Sequence, residues 1–401
     1  MPCTVPGLIQ MARSDPNFGT HDGFSASGVL PADVVRALAW LRGHLSETIE
    51  LDVLADAADV RPRTLETHFR IYLGTTPLGW ARRMRLALAR QEFIRRGQRA
   101  TVTAVAPNSG FTQLGRFAAE YRRAFGELPP ATITRAKCSP APTVDEDVDE
   151  AIRQTLDALP FAFAVERTRC NVALEKLSRP QELASGYGLP KAVASWCWAQ
   201  RAAHNFGSTP DADRERAYLL AEEAFKLASD DALTLTLSSG TLVLLHKLQA
   251  ADRRLEQALA IDPWLAYAWI RRGWMSAYFG DSDGAIRELR IALHLMPFEP
   301  LRHITCIGLG CAHFIAERYD RAALWVRSGI ETYPESHWAE RVLVAAVALT
   351  GARTEARRLG RVLMRKDQEL TVALARRAWP FRPKFMERLA EGLEIAELPV
   401  A

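Results

Sequence analysis

The sequence predicts an all-α protein in two parts: a pair of helix-turn-helix units near the N-terminus, then an α-solenoid of stacked helical hairpins. Three observations lead there. The stretch from residue 51 to residue 129 repeats itself at an offset of 51 to 52 positions. A frame of small and apolar residues recurs at roughly 34-residue spacing in the C-terminal half. Alternating apolar patterns of the kind that make strands are nearly absent. The 401 residues are 48% apolar and 24% charged, an ordinary globular balance that can fill two or three domains.

Taken in order, residues 1–30 are rich in Gly, Ser and Pro without periodicity, and read as a tail. Residues 31–137 form the double helix-turn-helix domain. They hold 17 Lys and Arg against 10 Asp and Glu, whereas the whole chain is only +4, so the remainder is acidic. Concentrated positive charge is the footprint of a polyanion binder, although solvated surface alone also produces it.

The duplication is residue by residue. Leu51, Leu54, Ala55 and Val60 match Val102, Val105, Ala106 and Phe111. Beyond the turn, Leu65, Phe69, Gly74 and Pro77 match Phe117, Tyr121, Gly126 and Pro129. Each unit therefore reads as a short helix, a tight turn, a second helix and a Gly stop followed by Pro. The pairs Leu65/Phe69 and Phe117/Tyr121 stand four residues apart and bury one face. The opposite face is left for the DNA major groove, which admits a helix. It offers Arg61, Arg63, Thr64, Glu66, Thr67 and Arg70 in the first unit, and Thr112, Gln113, Gly115, Arg116, Ala119 and Arg123 in the second. Arg63 and Arg116 are candidate guanine readers or phosphate contacts. Leu114 is expected beneath the reading helix, or against a thymine methyl. The long basic helix Leu78–Arg96 separates the units, and its Arg82, Arg83 and Arg85 read as phosphate or surface charges. Two reading helices on one face of B-DNA belong about one helical turn apart, roughly 34 Å.

These residues resemble the DNA-binding domain of the AraC/XylS family. The resemblance rests on LDVLADAADVRPRTLETHFRIYLGTTP, on RMRLALAR and on TVTAVAPNSGFTQLGRFAAEYRRAFGELPP, about a quarter of the chain. It implies a seven-helix domain that places both reading helices in adjacent major grooves. The sequence departs from that family at Arg61, where a capping Ser is usual, and at Asp59, where a turn Gly is usual. Pro107 lies inside a helix, Ala119 occupies a commonly basic position, and Glu66 sets a carboxylate among the groove-facing residues.

Residues 138–190 read as linker and connecting helices, with the prolines of Cys138–Val144 and the acidic run Asp145–Glu150. Residues 191–401 carry the repeats. The frame is Leu235, Ser239, Ala251, Leu255, Ala258, Pro263; then Trp269, Gly273, Ala285, Leu289, Ala292, Pro297; then Cys306, Gly310, Ala322, Val326, Gly329, Pro334. A weaker copy uses Val344, Ala356 and Leu363, and a degenerate one uses Ala217, Ala221 and Ala224. This resembles tetratricopeptide repeats, which implies a superhelix with a concave groove for a protein partner or a second copy of the chain. Pro380–Pro399 is expected to cap the last repeat. Trp196, Trp198, Trp264, Trp269, Trp274 and Trp325 read as inter-repeat core.

No phosphate loop, nucleophile elbow or zinc-protease helix occurs, so no enzyme and no cofactor are expected. His303, Cys306, Cys311 and His313 are metal-ligand types, but five residues is not a helical face repeat and no metal site is expected. The six cysteines show no paired spacing and read as cytoplasmic thiols. No apolar run is long enough for a membrane span. The leading reading is a transcription regulator of double-stranded DNA. The alternative is an interaction scaffold with a degenerate DNA-binding domain, and a small-molecule effector in the groove ranks last.

Overall fold

Every regular element among the described residues is helical, and no strand occurs there. The structure is a computed structural model and describes residues 30–96, 99–138, 146–204, 206–295, 301–334, 336–377 and 379–400. Residues 1–29 of the expected tail, the Ser139–Val144 part of the proline linker and the repeat position Pro297 lie outside the described residues, while Leu30, the last residue assigned to the tail, is buried in the core.

Seven helices make the N-terminal part: α1 (Ala32–His44), α2 (Leu51–Ala57), α3 (Pro62–Leu73), α4 (Pro77–Arg96), α5 (Val102–Asn108), α6 (Leu114–Phe125) and α7 (Pro129–Cys138). The Gly stops fall where the duplication puts them. Gly74 (φ 69°) donates to the carbonyl of Arg70, and Gly126 (φ 75°) to that of Arg122. The turns inside the two units are also left-handed, at Asp59 (φ 55°) and Gly110 (φ 78°). Asp is among the few side chains that tolerate this region, so the missing Gly bends the chain the same way at modest cost. Pro107 sits in the last turn of α5, where its missing N–H removes a single bond. The turn still closes through Ser109 and Phe111, which donate to Val105 and Ala106.

The rest of the chain is a row of antiparallel hairpins. They are α8 (Glu146–Phe163) with α9 (Arg167–Leu183), α10 (Gly188–Ala203) with α11 (Pro210–Leu227), and α12 (Ala232–Leu244) with α13 (Leu248–Ile261). Then come α14 (Ala266–Tyr278) with α15 (Ser282–Leu295), α16 (Arg302–Ile315) with α17 (Tyr319–Thr332), and α18 (Glu340–Leu349) with α19 (Arg353–Lys366). The short α20 (Val372–Arg377) and α21 (Pro383–Ile395) follow. The helices α8 and α9, expected only as connectors, form a hairpin that packs on α10 as later hairpins pack on each other.

The repeat frame has a steric cause. A side chain at Gly273 would lie 2.5 Å from Leu289, and one at Gly310 would lie 2.3 Å from Val326. In each case the small residue faces the frame's own apolar position on the partner helix. In the earlier copy Ser239 fills that place and donates to the Ala251 carbonyl at 2.9 Å. At the C-terminal end Gly392 of α21 seats on Ala345 of α18, and Val372 donates to the carbonyl of Pro399.

The inner face of the array is covered by the chain itself. Every residue of α14 except Arg272 is buried. Phe163 from α8 lies against Tyr267, with ring centroids 4.9 Å apart. Phe381 lies against Tyr278 at 4.7 Å, and Trp338 against Trp274 at 6.0 Å. The Nε1 of Trp196 and the amide of Gln200 both donate to the Ala162 carbonyl. His303, Cys306, Cys311 and His313 are all buried. His303 stacks on Tyr333, and burial pushes the Cys311 thiol well above its ordinary value. Among the described residues no three His, Cys, Asp or Glu stand close enough to hold a metal ion. Nor is any described helix long and apolar enough to cross a membrane.

Candidate nucleic-acid interface

The reading helices α3 and α6 are built alike. Leu65 and Phe69 on α3, and Phe117 and Tyr121 on α6, are fully buried. Leu54 and Ala55 in front of the first, and Val105 and Ala106 in front of the second, are equally buried. Neither helix has a side-chain N-cap. Arg61 and Gln113 hold the cap positions without accepting a bond, and Pro62 sets the first turn of α3 instead.

Of the residues singled out for DNA, Arg61, Arg63, Thr67 and Arg70 are exposed on α3, while Thr64 and Glu66 are half-buried. Around α6, Thr112, Gln113, Gly115, Arg116, Ala119 and Arg123 are all exposed. Leu114 is 40% exposed rather than packed beneath the helix. A side chain at Gly115 would meet nothing within 4 Å, so folding does not demand a Gly there. Several groups already have partners. Glu66 pairs with Arg70 at 3.7 Å, and Thr67 donates to the Arg63 carbonyl at 2.8 Å. Arg116 pairs with Glu120 at 2.9 Å.

The repeat array stands behind the C-terminal ends of both reading helices. Gly74 at the end of α3 faces Arg287 of α15, and Tyr72 packs into the array core. Phe125 at the end of α6 packs with Ala232, Leu235, Ala258 and Ile261 of α12 and α13. The N-terminal halves, with Arg61 and Arg63 on one and Gln113 to Arg116 on the other, stay uncovered.

Several structural roles lay outside the sequence reading. Arg85 is a strut between the units, not a surface charge. Its Nε donates to the Leu45 carbonyl at 2.8 Å, one terminal nitrogen donates to Glu47, and the other reaches Gly110 at 3.4 Å. Burial, then the neighbouring Arg82, lower the Arg85 pKa. Gly110 is required twice over, by its positive φ and because a side chain would lie 2.7 Å from the Arg85 guanidinium. Glu120 is shared by Arg116 and, at 3.4 Å, by Arg82 of α4. Arg36 donates to the Ala58 carbonyl in the first turn, and Asp33 holds His68 of α3 at 2.7 Å. In the second unit the buried Arg90 pairs with Glu127 at 2.9 Å and lies over Phe125, while Thr132 joins Glu127 to the Tyr121 hydroxyl. Single-sequence spacing carries no signal for these long-range partners.

The α4 rod is seated in the array. Trp80 is fully buried and stacks on Trp269, with centroids 5.7 Å apart and planes 20° from parallel. Trp264 meets it edge-on at 6.4 Å, and the Arg42 guanidinium lies over the Trp264 ring at 4.4 Å. The core of the first unit is consequently continuous with that of the repeats.

Residues 54–135 match a family model described as a helix-turn-helix domain. The chain is 36% identical over 106 residues to the XylDLEGF operon transcriptional activator 2 of Pseudomonas putida, across 26% of this chain and 68% of that protein. It is 31% identical over 128 residues to a probable thc operon regulatory protein of Rhodococcus erythropolis, across 32% of this chain and 38% of that protein. It is 34% identical over 92 residues to the Escherichia coli transcriptional activator RhaS, across 23% and 32%. The chain thus spans only about a third of the length of the latter two. Among solved structures, the APC/C heterotetramer Cut9-Hcn1 is similar at a TM-score of 0.45 and 12% identity, over 86% of this chain and 62% of that one.

Proposed function

This chain belongs to the AraC/XylS family of helix-turn-helix proteins, and on that premise we propose that it is a transcription regulator that reads double-stranded DNA through α3 and α6. The observation that carries the reading is the shared placement of the two helices: each rests its C-terminal end on the repeat array and leaves its N-terminal polar flank exposed.

Arg63 and Arg116 are the base readers in this scheme. Each bidentate guanine contact is worth about 1–3 kcal/mol of discrimination. Arg61, Arg70 and Arg123 serve phosphates, which position without specifying. Gln113 suits adenine, Thr64, Thr67 and Thr112 suit either base edges or phosphates, and exposed Leu114 suits a thymine methyl. Gly115, unneeded by the fold, lets the α6 backbone come close to a base edge. Glu66, tied to Arg70, is a candidate acceptor from cytosine. The repeats supply regulation, by a partner or a second copy. Much of their inner face is taken by Phe163, Trp338 and Phe381, so a protein partner belongs on the outer helices or at the ends of the array.

The scaffold alternative draws on Pro107, Glu66 and Ala119: Pro107 leaves the turn after α5 closed and Glu66 is tied to Arg70, while Ala119 still offers no charge to a phosphate. Selection of bound fragments from the source genome at two salt concentrations decides between them. Enriched sites whose affinity falls steeply with salt are expected, since phosphate neutralisation releases counterions. A bound pool identical to the input at low salt ends the regulator reading.

A further inference from the structure

Arg271 lies inside the hairpin array as a buried cation without an anion. Only 8% of its surface is exposed, and among the described residues no carboxylate pairs with it. Its Nε has no hydrogen-bond partner. The one favourable contact found is with the Trp196 ring, whose centroid lies 4.9 Å from the guanidinium carbon. A cation–π contact offsets only part of the solvation that a buried guanidinium gives up. Buried arginines are ordinarily paired.

Its surroundings are mostly aromatic. Tyr267, Arg271, Trp274 and Tyr278 fall at spacings of four, three and four, which puts them on one face of α14. Trp196 approaches from α10, and Gly240 from α12. A side chain at Gly240 would lie 3.0 Å from the Trp196 ring and 3.3 Å from the Arg271 Nε, so the absence of one lets the guanidinium sit there. Two more buried polar groups lack partners: the Tyr267 hydroxyl on this face, a donor, and the Oε1 of Gln200, an acceptor one turn beyond Trp196 on α10. Phe163 closes the face on one side and Phe381 on the other, which excludes an extended peptide.

We infer that this face is the binding site of a small organic carboxylate, with Arg271 as counter-ion, the Tyr267 hydroxyl as second donor, and Trp196 and Tyr278 against its apolar body. The same helix carries Trp269, which stacks on Trp80 of the α4 rod, so an occupant of this face adjoins the element that joins the two reading helices. The assignment does not rest on DNA binding, and its test uses no DNA.

The test is thermal melting and tryptophan fluorescence of the full chain with sodium acetate, hexanoate and phenylacetate. Hexanamide serves as the neutral control and phosphate as the inorganic one. Hexanoate or phenylacetate is expected to raise the melting midpoint by several degrees at millimolar concentration and to change the tryptophan emission, while hexanamide does neither. Arg271→Met should abolish both effects and melt, without ligand, no lower than the parent, because it removes an uncompensated charge. Arg271→Lys should retain a weakened response. The assignment is overturned if no carboxylate shifts the midpoint, if hexanamide or phosphate shifts it equally, or if the shift survives in Arg271→Met. It is also overturned if Arg271→Met melts far lower or fails to fold, because the guanidinium is then satisfied by the protein alone.

Discussion

The two helix-turn-helix units share a pattern but not a foundation. The first merges its core with the repeat array through Trp80, Tyr72 and Leu73. The second keeps a core of its own, built on Phe93, Phe117 and Tyr121, and meets the array through Phe125. Even their internal polar devices differ. The first is braced from α1 by Arg36 and Asp33, and the second carries the Arg90–Glu127–Thr132–Tyr121 chain. Duplicated sequence therefore does not imply duplicated stability: what a unit rests on decides how it unfolds and what can move it.

The largest test of that difference is Trp80→Ala. Removing a fully buried tryptophan costs about 3–5 kcal/mol. Because the seam belongs to both bodies, urea unfolding followed by far-UV dichroism should show the array and the first unit destabilised together. An unchanged array transition would separate them. Acid comes next. Burial, then the charges of Arg290, Arg318 and Arg321, push His313 down to about 4 from 6.5. The folded state then binds its proton later than the unfolded state does. Stability is full above pH 6.5 and falls by about 3 kcal/mol on the way down to pH 4. Hydrogen exchange at pH 5 should show the array and α3 loosening ahead of α5 and α6; a His313→Gln variant should lose only part of that acid sensitivity, because burial pushes His204 of the array down to about 4 as well.

A smaller effect is expected from Arg85→Ala, which deletes charge-assisted bonds to two carbonyls of the first unit and one of the second, at about 2 kcal/mol. Exchange should rise at the Leu45–Glu47 loop and the Gly110 turn together. Protection lost in one unit alone would mean that the strut does not join them. Asp59→Gly sits at the bottom of the scale. Relief of a left-handed φ should stabilise the first unit by about 1 kcal/mol at most, read as a small rise in urea midpoint.

Much of the molecule was legible because its rules are local. Leu65/Phe69 and Phe117/Tyr121 announce buried faces by their spacing, Gly74 and Gly126 by the conformation they alone take cheaply. Ser239, Gly273 and Gly310 mark close helix crossings by their size. The exposed flanks of α3 and α6 follow from the same periodicity. What stayed hidden depends on partners far apart in the chain. Trp80 sits in a helix that reads as basic surface, and its partners Trp264 and Trp269 come from the repeats. Arg85 looks like one arginine among several until three carbonyls from distant turns converge on it. Leu114, read either as packed beneath α6 or as facing a thymine methyl, is exposed, while Phe117 and Tyr121 hold the buried face of α6. The α8–α9 hairpin keeps only part of the frame, in Ala158, Cys170 and Leu174, too little for its spacing to give away that it stacks like a repeat.

The seating of the α4 rod has a consequence for operator geometry. A free-standing pair of reading helices adapts to half-sites whose separation or helical phase varies by a base pair. Here one end of the ruler is clamped in the core of the repeat array, while the other end meets the array along the end of α6, where Phe125 supplies the apolar contact. Substitutions deep in the repeats, far from any nucleotide, should consequently register as altered tolerance for half-site spacing.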